Sequence, residues 1–348
     1  MSVVAEKTDI VIIGGGIAGL TLAKYLAEDG IDFILVEKDK EFFKKACGEG
    51  ITVKLADYNF FDLYESRKGI EKVTDGTIIY TKYGKISMDI PNIICNKREV
   101  EEQLAYQAKK KGGIIRVGSK VSQIKRQGNI LLVLPQNIES RIIVGADGVN
   151  SVVRKYLGLP RPNCGIGAYG ITANIDKSSD ECHIEFKKDV APYGYSWFFP
   201  KTKEWNIGIG TANHQYFKES FLKFKKRFPE VEKWVGGFVP VSMPLKSYGD
   251  KIILVGDAAS QVIAMLGDGI LPSMICAKIA ADHLIKMSKN NFREMDLSLY
   301  EKEWQNKLLK VFKDGYTAYN LLSKVQFSEY LFHLLIKLMC RMALREYK

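Results

Sequence analysis

The run Asp9-Ile10-Val11-Ile12-Ile13-Gly14-Gly15-Gly16-Ile17-Ala18-Gly19 leaves this chain few ways to fold. Its apolar half reads as a buried strand, its glycines as a tight turn, and the following LTLAKYLAEDG as a helix. That order is the phosphate-binding unit of a dinucleotide fold. Gly14 permits the sharp turn, Gly16 lets backbone amides approach a diphosphate, and Gly19 lets helix and strand pack closely. The helix N-terminus adds its positive dipole end. A second strand, FILV, ends at Glu37, about 20 residues past the turn, where a carboxylate accepts ribose hydroxyls and disfavours a 2′-phosphate. Ala18, Lys38 and Val121 are further expected cofactor contacts. The motif alone does not separate NAD from FAD.

At 348 residues and 46% hydrophobic content the chain supports two core-bearing domains and is not disordered. The net charge of +11 is spread along it, as at Lys109 to Lys111, without a basic tail. No helix-turn-helix, zinc-finger or RNA-binding signature accompanies that charge, so no nucleic acid partner is expected. An anionic membrane or a phosphorylated substrate suits it better. The cysteines at 47, 95, 164, 182, 276 and 340 form no C-x-x-C pair, so neither a metal site nor a disulfide framework is expected. The first apolar run is the nucleotide strand itself, and no uninterrupted 18-residue apolar stretch occurs. The expectation is a cytoplasmic protein that touches a membrane only peripherally.

The fold class expected is α/β: a Rossmann-type dinucleotide-binding domain with an inserted antiparallel-sheet substrate domain and C-terminal helices. The pattern assigns 1–52, 96–160 and 245–290 to the first, 53–95 and 161–244 to the second, and 291–348 to the helices. TDGTIIYTKYGKISMDI reads as a hairpin, Arg98 to Lys111 as a helix, and the segment from Gly112 to Gly148 as four β-rich runs. CHIEF, YSWFFP and NIGIG read as antiparallel strands over a cavity, and a long helix begins near Pro272.

Three glycine-rich turns each deliver an aspartate: Asp147 with Gly148, Asp257 after Gly256, and Asp268 between Gly267 and Gly269, followed by Ile270. Any one of these acids is equally a helix cap. Together with the first turn they resemble FAD-dependent oxidoreductases of the para-hydroxybenzoate hydroxylase fold. That resemblance implies FAD, with Asp257 on the ribityl chain, Asp147 near the pyrophosphate and Arg98 near the flavin. Only one GxGxxG is present, so a nicotinamide binds transiently or another protein delivers the electrons.

Two further segments, Cys47-Gly48-Glu49-Gly50 and Tyr195-Ser196-Trp197-Phe198-Phe199-Pro200, resemble the C-G-x-G and Y-x-W-x-F-P segments of the geranylgeranyl reductase family. Those segments and the FAD motifs follow in order over roughly residues 9 to 285. The resemblance implies a prenyl lipid substrate, FADH2 as hydride source and NADPH or ferredoxin as electron donor. Strand alternation puts Tyr195, Trp197 and Phe199 on one face, either as core or as a wall for a lipid chain. Cys47, either an inert thiol or the proton donor that an unactivated alkene needs, is the catalytic candidate. Ile263-Ala264-Met265-Leu266 departs from the family's usual N-P-x-T/S before the late glycines. A flavin monooxygenase of the same fold and an electron carrier without a substrate pocket are the competing readings. In the last helix Leu331, Leu334, Leu335, Leu338 and Met342 form an apolar stripe set against Lys337, Arg341 and Arg345, which rests on an anionic bilayer or packs on the domain.

Overall fold

The computed structural model describes residues 5–347. The glycine turn follows strand Glu6–Ile13, the centre of a sheet in which Ile114–Arg116, Phe33–Val36, Glu6–Ile13, Ile138–Gly145 and Ile252–Leu254 run parallel. These strands are almost wholly apolar because both sheet faces are covered. Ile10 and Ile12 pack with residues of helices Ile17–Glu28, Lys97–Lys110 and Ile270–Ser288, while Val11 and Ile13 share a second core with Ile124, Val133 and Val153. Strand Ile138–Gly145 changes partner along its length. Its first half pairs antiparallel with Ile130–Leu134, and its second half pairs parallel with Ile252–Leu254. That exchange sets the carboxyl ends carrying Asp147 and Asp257 beside the glycine turn, where ligands of open parallel sheets bind.

The second sheet has seven strands in the order Val235–Pro240, Cys164–Thr172, Trp205–Thr211, Gly194–Pro200, Glu181–Glu185, Gly76–Thr81 and Gly84–Met88. Its neighbours are antiparallel, as the alternation predicts, with one difference: Glu181–Glu185 runs parallel to Gly76–Thr81. No hairpin joins those two strands, so no tight turn forces opposite directions. Helix His214–Lys225 covers the outer face, where Phe224 and Phe228 pack on Phe198, Ile207 and Ile209.

Helices Ser298–Lys324 and Glu329–Tyr347 follow, and no helix among the described residues is long and apolar enough to cross a membrane. The last helix buries Phe332, Ile336 and Cys340, at i+4 spacing, against Ile79, Ile184 and Phe186. The stripe read from the sequence is not the packed face. Leu331, Leu334, Leu338 and Met342 are exposed and only Leu335 is half-buried, so the helix carries two apolar faces.

Candidate active site

One cleft of about 1650 Å³ is lined by residues of both sheets and the last two helices. It exceeds the roughly 300–1,000 Å³ of an ordinary small-molecule pocket. That is more space than one small molecule needs.

The nucleotide end is built from the parallel strand ends. Gly14 has φ 112°, and a Cβ there would lie 2.2 Å from the Ala146 carbonyl oxygen. Gly16, at the start of helix Ile17–Glu28, has open space where its Cβ would be, the room a diphosphate needs. Ala18 lines the same wall, with Lys38 and Val121 near Glu37. The Glu37 carboxylate accepts from the Gly15 amide (2.6 Å) and the Asp39 amide (2.9 Å), which fixes it at the cleft edge.

The three aspartates converge as the motifs suggest, each held differently. Asp147 Oδ2 accepts from the Val152 amide (2.6 Å) at the start of the helix Val152–Tyr156, which Ser151 caps, while its Oδ1 is buried without a partner. Asp268 Oδ2 accepts from Thr52 Oγ1 (2.7 Å), and its Oδ1 is likewise buried and unpartnered. Burial pushes both carboxyls above their ordinary range. Asp257 is ion-paired with Lys45 from the facing loop. Orphaned buried oxygens are uncommon in folded proteins. The hydroxyls of an FAD ribityl chain donate to acceptors of this kind, and the empty space above Gly16 suits the diphosphate, so the residues present fit FAD. Gly148, Gly267, Gly269 and Ile270 complete this lining.

Cys47 lies in the loop crossing from the nucleotide end to the second sheet, half-buried in the cleft wall with Gly48 and Gly50. Its Sγ accepts from the Glu49 amide (3.3 Å). Burial raises its pKa, Lys97 and Lys45 oppose that, and the net effect keeps the thiol protonated at neutral pH. Opposite stand Tyr195, Trp197 and Phe199, on the cleft side of their strand, while Ser196, Phe198 and Pro200 are buried behind it. Neighbouring ring centroids are 6.1 and 6.5 Å apart. The Trp197 indole has room because Gly208 pairs with it across the strands; a Cβ there would lie 2.1 Å from the ring. Tyr195 donates its hydroxyl to the Leu266 carbonyl, tying the wall to the late glycine turn. Beyond the wall the cleft turns apolar, lined by Ile79, Ile184 and Phe186 and closed by Phe332, Leu335 and Met339.

Three sequence-derived contacts stand outside this lining. Gly19 and Gly256 lie behind it, and Arg98 points to the surface, 3.2 Å from Glu41. The neighbouring Lys97 lines the cleft instead, buried and paired with Glu101 at 2.5 Å. Sequence reading also passed over Lys45, Thr52, Lys201, Asn206 and Gly208. The alternating glycines of Asn206-Ile207-Gly208-Ile209-Gly210, opposite an aromatic strand, were the available signal for the last of these.

Residues 7–186 match the FAD binding domain family, and residues 165–236 match the geranylgeranyl reductase catalytic domain. The chain is 29% identical over 329 residues to a digeranylgeranylglycerophospholipid reductase of Methanocaldococcus jannaschii, covering 86% of this chain and 82% of that protein. It is 28% identical to the enzyme of the same name from Methanococcus vannielii, covering 94% and 90%. The crystal structure of a geranylgeranyl bacteriochlorophyll reductase-like protein from Thermoplasma acidophilum superposes with a TM-score of 0.77 at 22% identity, covering 92% of this chain and 91% of that one. PqsL, a probable FAD-dependent monooxygenase from Pseudomonas aeruginosa, gives 0.72 at 15% identity, covering 95% and 100%. Both superpositions establish the fold. The chain belongs to the FAD binding domain family, with FAD as its cofactor and a geranylgeranyl reductase catalytic domain joined to it.

Proposed function

We infer that this protein is an FAD-dependent reductase that saturates C=C bonds in geranylgeranyl chains of phospholipids or their precursors. The observation carrying this reading is the cleft itself. The FAD-lining glycines and aspartates, a protonated cysteine and a long apolar extension belong to one continuous cavity.

Bound and reduced, FAD supplies a hydride. The chain's residues do the rest. An isolated alkene is a poor electrophile, so a proton must reach one carbon as hydride reaches the other. Cys47 Sγ–H gives that proton and is left as a thiolate, which Lys97 and Lys45 stabilise. Tyr195, Trp197 and Phe199 hold the alkene and exclude water, and the apolar extension takes the rest of the chain. Electrons enter from a transient donor, NADPH or ferredoxin, since the single glycine motif serves FAD.

The test is anaerobic. Protein reduced with dithionite and given a geranylgeranyl phospholipid should reoxidise, with the lipid gaining about two mass units per bond, one hydride plus one proton. A flavin that stays reduced until oxygen enters would reject this reading in favour of a monooxygenase or an electron carrier.

Substrate delivery is assigned to the outer face of the last helix. Leu338 and Met342, 54% and 56% exposed, line the cleft mouth, and Lys337, Arg341 and Arg345 are exposed beside them. Apolar residues flanked by cations suit an anionic bilayer surface. Leu338→Glu with Met342→Glu should abolish flotation with anionic vesicles and leave FAD content unchanged. Equal flotation of variant and native protein would remove the membrane from the account.

A further inference from the structure

Glu49 takes no part in the chemistry above, yet with Glu101 it is one of two buried glutamates in the cleft wall. It is 3% exposed and holds φ 62°, a left-handed conformation uncommon for a residue with a side chain. Its Oε1 accepts from the Lys97 amide (2.8 Å), and its Oε2 accepts from Lys201 Nζ (2.8 Å) and Asn206 Nδ2 (3.1 Å). Asn206 Nδ2 also donates to the Cys47 carbonyl (3.1 Å), and Asn206 Oδ1 accepts from Trp197 Nε1 (2.9 Å). Lys201, itself buried, donates to the Cys95 carbonyl (3.1 Å) and pairs with Glu71 (3.0 Å). A fully satisfied buried network of this kind rigidifies what it joins.

We propose that Glu49 is a positioning residue for the reduction, fastening the Cys47 loop to the strand that carries Trp197 so that thiol and aromatic wall keep one geometry. This rests on reading Cys47 as the proton donor. Two independent links carry it. Through Asn206, one carboxylate oxygen is connected to the Cys47 backbone and the Trp197 indole together. Through charge, Glu49 sets a negative group near Sγ that disfavours the thiolate, against Lys97 and Lys45, which favour it; Cys95, Tyr169 and Tyr195 are the remaining titratable neighbours. An acid must hold its proton until the alkene arrives, and the loop's own carboxylate helps it do so.

The experiment follows iodoacetamide alkylation of Cys47 against pH in the FAD-loaded protein, read by mass spectrometry of the Cys47 peptide, beside kcat and KM. In Glu49→Gln alkylation should begin at lower pH than in the native chain, and in Lys97→Gln at higher pH. Turnover in Glu49→Gln should fall about tenfold or more with KM for the lipid unchanged, the signature of a misplaced acid. Asn206→Ala breaks the bridge and leaves the carboxylate in place; its kcat should fall with the Cys47 titration unmoved. A native titration and native kcat in Glu49→Gln would overturn the inference. Should that variant fail to fold, native kcat in Asn206→Ala would overturn it instead. Full turnover in Cys47→Ser sinks the proton-donor reading and with it the catalytic role of Glu49, and the alkylation shift in Glu49→Gln tells that failure from the other, because it reports Glu49's hold on the thiol whether or not the thiol is the acid.

Discussion

Cys47→Ser should load FAD as the native chain does and reduce geranylgeranyl alkenes about 10²–10⁴ times more slowly, the usual contribution of a positioned general acid. Serine keeps the size of the side chain and the loop's backbone bonds, so flavin content and its absorbance spectrum serve as the control. The loss should lie in kcat, because the hydroxyl fits where the thiol fitted and holds its proton far more tightly. The pH profile gives a second check with a defined sign. Burial raises the Cys47 pKa above the ordinary thiol range, so the acid form is present below that pKa and lost above it. Turnover of the native protein should therefore be level through neutral pH and decline in the alkaline range. Chemistry that declines equally in Cys47→Ser, or does not slow at all, would assign the proton to another group.

Gly16→Ala should leave a folded protein that has lost about 100-fold in FAD affinity, about 3 kcal/mol. The residue has φ −83°, which alanine adopts freely, and its chain neighbours aside no residue comes within 4 Å of the place its methyl would take. What the methyl meets is the diphosphate. Gly14→Ala makes the contrast: φ 112° and a Cβ 2.2 Å from the Ala146 carbonyl force the strand ends apart, so stability falls along with cofactor. Thermal unfolding without FAD, paired with titration of FAD, separates the two. Equal affinity for Gly16→Ala and the native chain would place the diphosphate elsewhere.

Much of this site was legible before any fold was known, and the reason is local. Gly14 and Gly16 announce themselves because a turn that admits a diphosphate needs glycine at fixed spacing from a strand and a helix. Tyr195, Trp197 and Phe199 share a face because a strand has period two. The aspartates could be named as well, but not their division of labour. That Asp147 accepts from the first helix amide with one oxygen and leaves the other without a partner depends on where the helix Val152–Tyr156 begins.

What could not be read is what long-range pairing creates. Arg98 and Lys97 are adjacent in sequence, yet a helix turns adjacent side chains about 100° apart, and the lysine took the cleft while the arginine took the surface. The last helix showed one apolar stripe to a periodicity reading, whereas its packed face, Phe332, Ile336 and Cys340, was chosen by the hairpin and strand it met. The sequence by itself determined the nucleotide turn, the strand alternation and the residues that carry them, because each is set by backbone geometry over a few neighbours. Only the tertiary structure decided that Glu49, Lys201 and Asn206 meet behind Cys47, since 152 and 157 residues separate the first from the other two and no local rule spans that distance.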